Sequence, residues 1–561
     1  MIPPPCSAAA GVATGILILV LGLPGTALAE VEPTPQSCGP LQIRDLTGVS
    51  GIEFTHDRGT TGDKHLAETM GGGLAWLDFD NDGWLDLYLV QSGPFPPDGS
   101  AAAANRLFRN LGDGRFEDVT ERSGAGDRGC GQGTAAADAD GDGDIDLYVT
   151  NFGPDVLLVN DGAGHFEPAG SRSGLGLDGW SSSAAWADAD GDGDLDLYVT
   201  RYVEYDPQAD IFCGDPQTGR RRYCDPSIFV GASDRLYRNE GGGRFVDVSA
   251  VAGILPADGR GLGVVFTDLD EDRWPDLYVA NDLNINLLFR NRGDGSFEDL
   301  SLISGMGVNR EGRPEAGMGL AVGDVNGDLL PDLAVTNFDV ETNTLYRNLG
   351  EMAFEDISTP SGFGLPSFNQ LAFGIAMIDL EADGDLDFYI ANGHIFEEPH
   401  RENVLYRQRD QVLLGDGAGR FQELRCSFLD ERSTAARGLA IADVDNDGVV
   451  ELAIQENGGP FRLLGIDEIG VSWLGAELRG HGANSHGTGG RVLLKGTKGQ
   501  QVQWLVAGDS YQSSRDPRAL FAIRDAEKQV RVEVMWPGGG LQEFIDPPSG
   551  RYLVIYEPRG S

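Results

Sequence analysis

Basic residues are scarce in this chain. Its 561 residues include 42 Lys and Arg against 88 Asp and Glu, a formal net charge of −46. Nucleic acid and anionic membranes both require a cationic face, so neither is an expected partner, whereas a deficit of this size invites bound cations. Long apolar runs are missing beyond the N-terminus, so no membrane span is expected in the mature chain. No Asn-x-Ser/Thr occurs, so N-glycosylation is not expected. G-x-S-x-G, H-E-x-x-H and P-loop motifs are also absent, which removes the commonest sequence signatures of hydrolases, zinc proteases and nucleotide-binding enzymes.

The N-terminal run AAAGVATGILILVLGLPG precedes Ala27-Leu28-Ala29, a small-x-small pattern. It reads as a signal peptide over residues 1–29 cleaved after Ala29, although its first ten residues carry no Lys or Arg. The rival reading, an uncleaved anchor, has about sixteen apolar residues where about 20 are needed. The expected location is therefore outside the cytoplasm: secreted, periplasmic or at the cell surface. Removing Cys6 with the leader leaves Cys38, Cys130, Cys213, Cys224 and Cys426. Cys213 and Cys224 flank a short Pro/Gly/Arg loop and can pair in an oxidising compartment. The odd count leaves at least one thiol unpaired or intermolecular.

What the chain has in abundance is glycine, 81 residues, and one repeated unit. An acidic stretch recurs seven times at intervals of 50 to 80 residues, beginning at Asp78, Asp138, Asp188, Asp268, Asp324, Asp379 and Asp443. A Gly/Ala-rich apolar run such as GGGLAWLD precedes each copy, and an alternating run such as LDLYVT, with the period of a strand, follows it. Most copies are followed by a second module of the type NRLFRNLGDGRFEDVTERSG, two short strands around a Gly/Asn/Asp turn. About four strands in roughly 60 residues is the size of a propeller blade. IRDLTGVSG at 43–51 copies FEDVTERSG but stands before the first acidic loop, while the last loop lacks such a copy. This displacement predicts that an N-terminal strand completes the last blade. The expected fold is all-β: a seven-bladed β-propeller over 43–465, preceded by a linker at 30–42. An insertion at 201–233, rich in aromatics, Pro and Arg, suits either binding or surface decoration.

Oxygen ligands at alternating positions fit a hard cation, and a flexible many-oxygen shell favours Ca²⁺ over Mg²⁺. The candidate ligands occupy loop positions 1, 3, 5 and 9. They are Asp78, Asp80, Asp82 and Asp86 in the first loop, Asp138, Asp140, Asp142 and Asp146 in the second, and Asp188, Asp190, Asp192 and Asp196 in the third. The fourth offers Asp268, Asp270, Asp272 and Asp276; the fifth Asp324, Asn326, Asp328 and Asp332. The sixth offers Asp379, Glu381, Asp383 and Asp387; the seventh Asp443, Asp445, Asp447 and Glu451. In the first loop the Trp84 carbonyl would serve at position 7, and Gly83 permits a sharp turn at position 6. An EF-hand requires Glu at position 12, where Leu89, Val149 and Val199 stand instead. Up to seven Ca²⁺ are expected. Arg273 and Leu329 at position 6, with Asn326 at position 3, predict that the fourth and fifth loops are the weakest.

These loops resemble the FG-GAP/VCBS repeats of integrin α-chain propellers. The C-terminal stretches WLGAELRGHGANSHGTGGRVLL, VAGDSYQSSRDPRALFAI and VRVEVMWPGGGLQEFIDPP look like the ASPIC/UnbV domain, here spanning 466–556 before a tail at 557–561. The combination, with ETMGGGLAWLDFDNDG and Asn392-Gly393-His394, is similar to the cartilage acidic protein family and its bacterial members. That resemblance implies an exported calcium-binding protein with an adhesive or ligand-binding role, and an extracellular protein or glycan as partner. Read by its own alternating runs, the C-terminal region is a small β-sandwich or barrel.

No catalytic residue is expected. The alternative is a carbohydrate-active enzyme, a lyase or hydrolase, using the propeller face. Its best candidate is His394, with Glu397, Glu398 and His400 nearby, against the simpler reading of a turn histidine. His481 and His486 flank a glycine loop without a third zinc ligand. Ser510, Tyr511, Asp516 and Arg518 suit either ligand binding or buried turn contacts.

Overall fold

The structure, a computed structural model, describes residues 33–95, 104–209, 211–254, 259–397, 404–467, 470–524 and 530–559. The expected signal peptide, Glu398, His400 and the last two residues of the tail lie outside the described residues.

Each acidic loop is the hinge of a β-hairpin. Strand Leu74–Leu77 enters the first loop and Asp86–Leu89 leaves it, with Leu77 opposite Asp86. The second module forms the next two strands, Arg106–Asn110 and Phe116–Asp118. The same antiparallel meander begins again at Cys130, Ser181, Gly261, Leu320, Ala372 and Ala436. The first strands of these seven sheets touch in a closed cycle, with Ala436–Ala442 returning to Leu74–Leu77. The fold is thus nearly all-β and propeller-like.

The last sheet is completed from the N-terminus, as the displaced IRDLTGVSG copy predicts. Leu41–Asp45 pairs antiparallel with Arg462–Ile466, Ile43 lying opposite Ile466. A fifth strand, Gln36–Cys38, adds to its edge. Both begin inside the stretch read as a linker. That reading is corrected here: Cys38 and Leu41 are fully buried and belong to the core.

Glycine on the inner strands has a geometric cause. A Cβ on Gly263 would lie 2.1 Å from the Met318 carbonyl oxygen, and one on Gly319 2.1 Å from that of Phe373. One on Gly438 would lie 2.2 Å from the oxygen of Gly72, across the closure of the ring. The backbones of adjacent sheets approach so closely at the axis that no side chain fits between them. The apolar core is correspondingly divided among the interfaces between sheets. Leu74, Trp76 and Leu87 of the first sheet pack on Ala440, Ala453 and Leu463 of the last.

The C-terminal region is a sandwich. Ala519–Ile523, Ser472–Arg479 and Tyr552–Tyr556 form one sheet; Gln500–Trp504, Arg491–Lys495, Arg531–Met535 and Leu541–Ile545 form the other. Leu474, Val492, Val532 and Trp536 fill the space between. The segment between Trp504 and Ala519 leaves this sandwich and enters the axis of the ring. Its backbone exchanges hydrogen bonds with five inner strands: Ser514 with Leu74 and Trp76, Gln512 with Thr134, Ala507 with Trp186, Ser510 with Leu320 and Asp516 with Ile441. Ser510 and Gln512 adopt left-handed conformations, φ 56° each, to make these turns.

Two disulfides form. Cys213–Cys224 closes the insertion, as expected, and Cys38–Cys426 was not foreseen. Cys130 is the free, buried thiol. Cys38–Cys426 joins residues 388 apart and ties the edge of the completed sheet to the chain entering it. Replacing both with serine is expected to lower unfolding free energy by about 2–5 kcal/mol, read as a fall in melting temperature in calcium. An unchanged melting temperature would mean that the N-terminal strands do not clasp the ring.

Candidate metal centres

In each loop the first carboxylate organises the turn. The N–H groups of Asp82 and Gly83 donate to the two oxygens of Asp78 at 3.0 and 2.9 Å, and the pattern recurs at Asp268, Asp379 and Asp443. Position 6 is left-handed throughout, as glycine there predicts, and Arg273 and Leu329 adopt it too (φ 78° and 70°). Position 4 is left-handed as well, a requirement the sequence reading missed: Asn81, Gly141, Gly191, Glu271, Gly327, Ala382 and Asn446 all have positive φ.

Five loops gather three carboxylates whose oxygens lie within 4.8 Å of one another. Two oxygens on one Ca²⁺ at about 2.4 Å can be no farther apart than this. In the first loop the three are Asp78, Asp80 and Asp82, positions 1, 3 and 5. Elsewhere positions 1, 3 and 9 meet: Asp138, Asp140 and Asp146; Asp188, Asp190 and Asp196; Asp268, Asp270 and Asp276; Asp443, Asp445 and Glu451. Asp86 lies outside the first loop's trio, and Asp142, Asp192, Asp272 and Asp447 lie outside theirs. Inside a trio or outside it, the position-5 carboxylate accepts the N–H of position 7, as at Asp82, Asp142, Asp192, Asp272 and Asp447.

The sixth loop, with Asp379, Glu381, Asp383 and Asp387, does not converge in this way. Neither does the fifth, where Asn326 replaces a carboxylate at position 3 and its amide donates to Asp328 at 2.9 Å. In the fourth loop the carboxylates converge although Arg273 stands at position 6, and the sixth loop joins the fifth in lacking a three-carboxylate set among the described residues.

The donor set fits a hard cation. It is all oxygen, and Asp80 Oδ1 is buried without a hydrogen-bond partner, as is Glu381 Oε2 in the sixth loop. Arginines from the third strands already reach two clusters. Arg109 contacts Asp80 and Asp82 at 2.6 Å each, and Arg290 contacts Asp270 and Asp272 at 2.7 and 3.3 Å. Val159 holds the equivalent position beside the second loop, whose charge has no such neighbour on that strand.

Position 9 carries a further role. Asp146 accepts the N–H of Ala139 at 2.8 Å and that of Asn160 on the third strand at 2.7 Å, and Asp86, Asp196, Asp276 and Asp332 repeat the arrangement. The same asparagine reaches the preceding blade. Asn160 Nδ2 donates to the Phe79 carbonyl in the first loop at 2.8 Å, and Asn110, Asn239, Asn291 and Asn348 do likewise to Val444, Ala139, Ala189 and Leu269. Each loop so linked is fastened to the next sheet. The recurrent Arg-Asn of the second module was the available signal, read only as part of a turn.

Burial dominates the electrostatics. It raises Asp78, Asp138, Asp188 and Asp268 to about 6, and Asp196 and Asp387 to about 8. Asp86, Asp146, Asp276 and Glu451 are pushed well above their usual range for the same reason. Neighbouring carboxylates add to each shift, and backbone N–H donors partly oppose it. Burial thus favours the protonated form of each of these groups, most strongly at position 9.

The C-terminal sandwich grips this face. Arg518 donates to the Asp443 carbonyl at 2.9 Å and to Asn446 Oδ1 at 2.7 Å, pairs with Asp516 at 2.8 Å, and stacks on Tyr552. The Tyr552 hydroxyl donates to Asp443 at 2.9 Å. Arg491 pairs with Glu271 at 2.9 Å, and Arg524 with Asp385. Tyr511 is fully buried against Phe373. Ser510, Tyr511, Asp516 and Arg518 thus make internal contacts.

The family models match along this frame. The FG-GAP-like repeat model matches residues 78–149, 138–199, 206–279, 268–335 and 324–390, more than half of the chain, and the ASPIC and UnbV model matches 480–561. The chain belongs to the FG-GAP-like repeat family. Among curated relatives of this FG-GAP protein, cartilage acidic protein 1 of Homo sapiens is 26% identical over 303 residues, covering 53% of this chain and 43% of that protein. Its Mus musculus counterpart is 25% identical over 303 residues, covering 53% and 44%. The FG-GAP chain therefore spans less than half the length of the curated relatives it matches. Of solved structures, an Agrocybe aegerita lectin shares 15% identity over 68% of this chain and 88% of that one, TM-score 0.39. PorZ of Porphyromonas gingivalis shares 13% identity over 86% and 59%, TM-score 0.40. Likenesses this slight carry no argument.

His394 and His486 are both held by internal partners. His394 is buried, accepts the Phe396 N–H at 2.9 Å and faces buried Asp339 at 3.5 Å. His486 is held by Ser485 and Arg479 at 2.8 and 2.9 Å, and burial lowers it to about 3. Among the described residues no metal-type cluster contains a histidine.

A sign follows for pH. Asp196 and Asp387 rise from 3.8 to about 8 in the folded chain, so their contribution is complete below the ordinary pKa and lost as pH climbs through the raised one. In chelator, the melting temperature should fall by more than about 5 °C between about pH 5 and 8. In millimolar Ca²⁺ it should stay nearly level, the cation replacing the proton. A chelated chain that gains stability over that range would contradict this account.

Proposed function

We propose that the chain is an exported, calcium-stabilised binding module, acting at the cell surface or in the medium on an extracellular protein or glycan, and without catalytic activity. Five converging all-oxygen carboxylate sets support the calcium. Two disulfides support an oxidising compartment. Among the described residues no helix is long and apolar enough to cross a membrane.

One observation carries the reading. The ASPIC/UnbV segment 505–516 fills the axis where a propeller enzyme would place its funnel, hydrogen-bonded to five inner strands. His394, the best catalytic candidate, is enclosed, the Asp339 carboxylate it faces is equally buried, and an external substrate would have to displace packed chain to reach either. The ring serves as a rigid scaffold for the loops and insertion on its other face.

The test is an array of glycans and extracellular proteins probed with the calcium-loaded and the chelated chain, run beside a polysaccharide-degradation assay. Calcium-dependent retention without product release is expected. Turnover that is lost in His394→Ala at unchanged melting temperature would replace this reading with the carbohydrate-active enzyme.

A further inference from the structure

Cations are rare in this chain, yet four line a single cavity. Lys64, Arg220, Arg221 and Arg222 surround a space of about 170 Å³ together with Tyr223, Phe396 and one carboxylate, Glu397. The three arginines come from the insertion, where Gly214–Asp215 pairs with Arg220–Arg221 in a short hairpin. The Cys213–Cys224 disulfide closes that hairpin at its base, and the Arg222 N–H donates to the Cys213 carbonyl at 2.8 Å. The cationic wall is therefore fixed in advance of any ligand, which lowers the ordering cost of binding.

We propose that this cavity is the ligand site of the binding module and that it takes an acidic sugar, a ring bearing a carboxylate or sulfate. The inference rests on the binding-module reading above and assigns its site and ligand class. Glu397 reports the local field. Lys64 holds it at 2.8 Å, Arg58 also pairs with it, and the Lys64 hydrogen bond leads the causes that keep its carboxyl below the ordinary range. A carboxylate is stabilised here although the molecule as a whole is strongly anionic. Arg220 and Arg222, both exposed, reach the cavity from the rim, and guanidinium forks match carboxylate and sulfate oxygens.

Size and walls favour one sugar ring over a longer segment. The cavity is smaller than the roughly 300 Å³ at which drug-sized ligand pockets begin. Its apolar side is aromatic: Phe396 is half-buried, and Tyr223 is fixed by its hydroxyl donating to buried Glu68 at 3.1 Å and by Lys64 over its ring at 5.0 Å. Flat aromatic walls beside charged forks suit a ring with one apolar face and one charged substituent.

The test is calorimetry on the full calcium-loaded chain with four probes: trigalacturonate, a sulfated heparin tetrasaccharide, neutral maltotriose and a tetraglutamate peptide. At least one charged saccharide is expected to bind, maltotriose is not, and tetraglutamate is expected to bind more weakly than that saccharide. Arg220→Ser with Arg222→Ser should weaken the charged saccharide at least tenfold at unchanged melting temperature. Arg420→Ser, remote and exposed, should leave binding intact. Absence of binding by both charged saccharides, equal binding by the double variant, or tighter binding of tetraglutamate would each overturn the proposal. Array ligands that persist in the double variant would overturn this site and leave the binding-module reading standing. An array without any ligand would instead sink that reading.

Discussion

Like charges held at contact distance govern this molecule. Two carboxylates about 4 Å apart repel by roughly 1 kcal/mol in water and about 4 where the effective dielectric is near 20. The fold sets three of them within 4.8 Å in each of five loops. Protons or a cation relieve that repulsion, and burial, which raises Asp196 of the third loop to about 8, opposes the bare charge further. The position-9 carboxylate also anchors the third strand, and the neighbouring asparagine fastens the preceding loop. In this way the state of one loop reaches two sheets.

The C-terminal domain depends on the same face. Its axial segment bonds to inner strands from several blades, and Arg518 and Tyr552 close on Asp443 of the seventh loop. A propeller axis lined by closely spaced glycine backbone leaves peptide groups in need of partners. The inserted segment supplies them, so the domain is part of the ring's core. One face thereby carries the acidic loops and this internal partner, and the opposite face carries the insertion.

Much of this was legible in the sequence because it is local. The seven acidic loops, the hairpins, the completion of the last sheet by residues 43–51 and the Cys213–Cys224 pair all follow from short-range pattern and bookkeeping of copies. What escaped depends on the packing of distant segments. Cys38–Cys426 spans 388 residues, and no spacing announces it. The strand at Gln36–Cys38 looks like linker until its buried partner is known. For Tyr511 and Arg518 sequence left ligand binding and buried contacts equally open, and packing against Phe373 and against the seventh loop decides for the latter. Among the loops, Arg273 adopts the left-handed turn that glycine favours at position 6 and the carboxylates of the fourth loop still converge, whereas those of the sixth form no such trio. How closely side chains meet depends on packing that composition does not reveal.

The most direct test of this account is elemental analysis of the chain, purified without added metal, paired with melting in EDTA and in millimolar Ca²⁺. The account predicts about five bound Ca²⁺ per chain, one for each converging loop, and a cooperative transition that moves to markedly lower temperature when they are removed. A metal-free chain that melts identically in both solutions would contradict it.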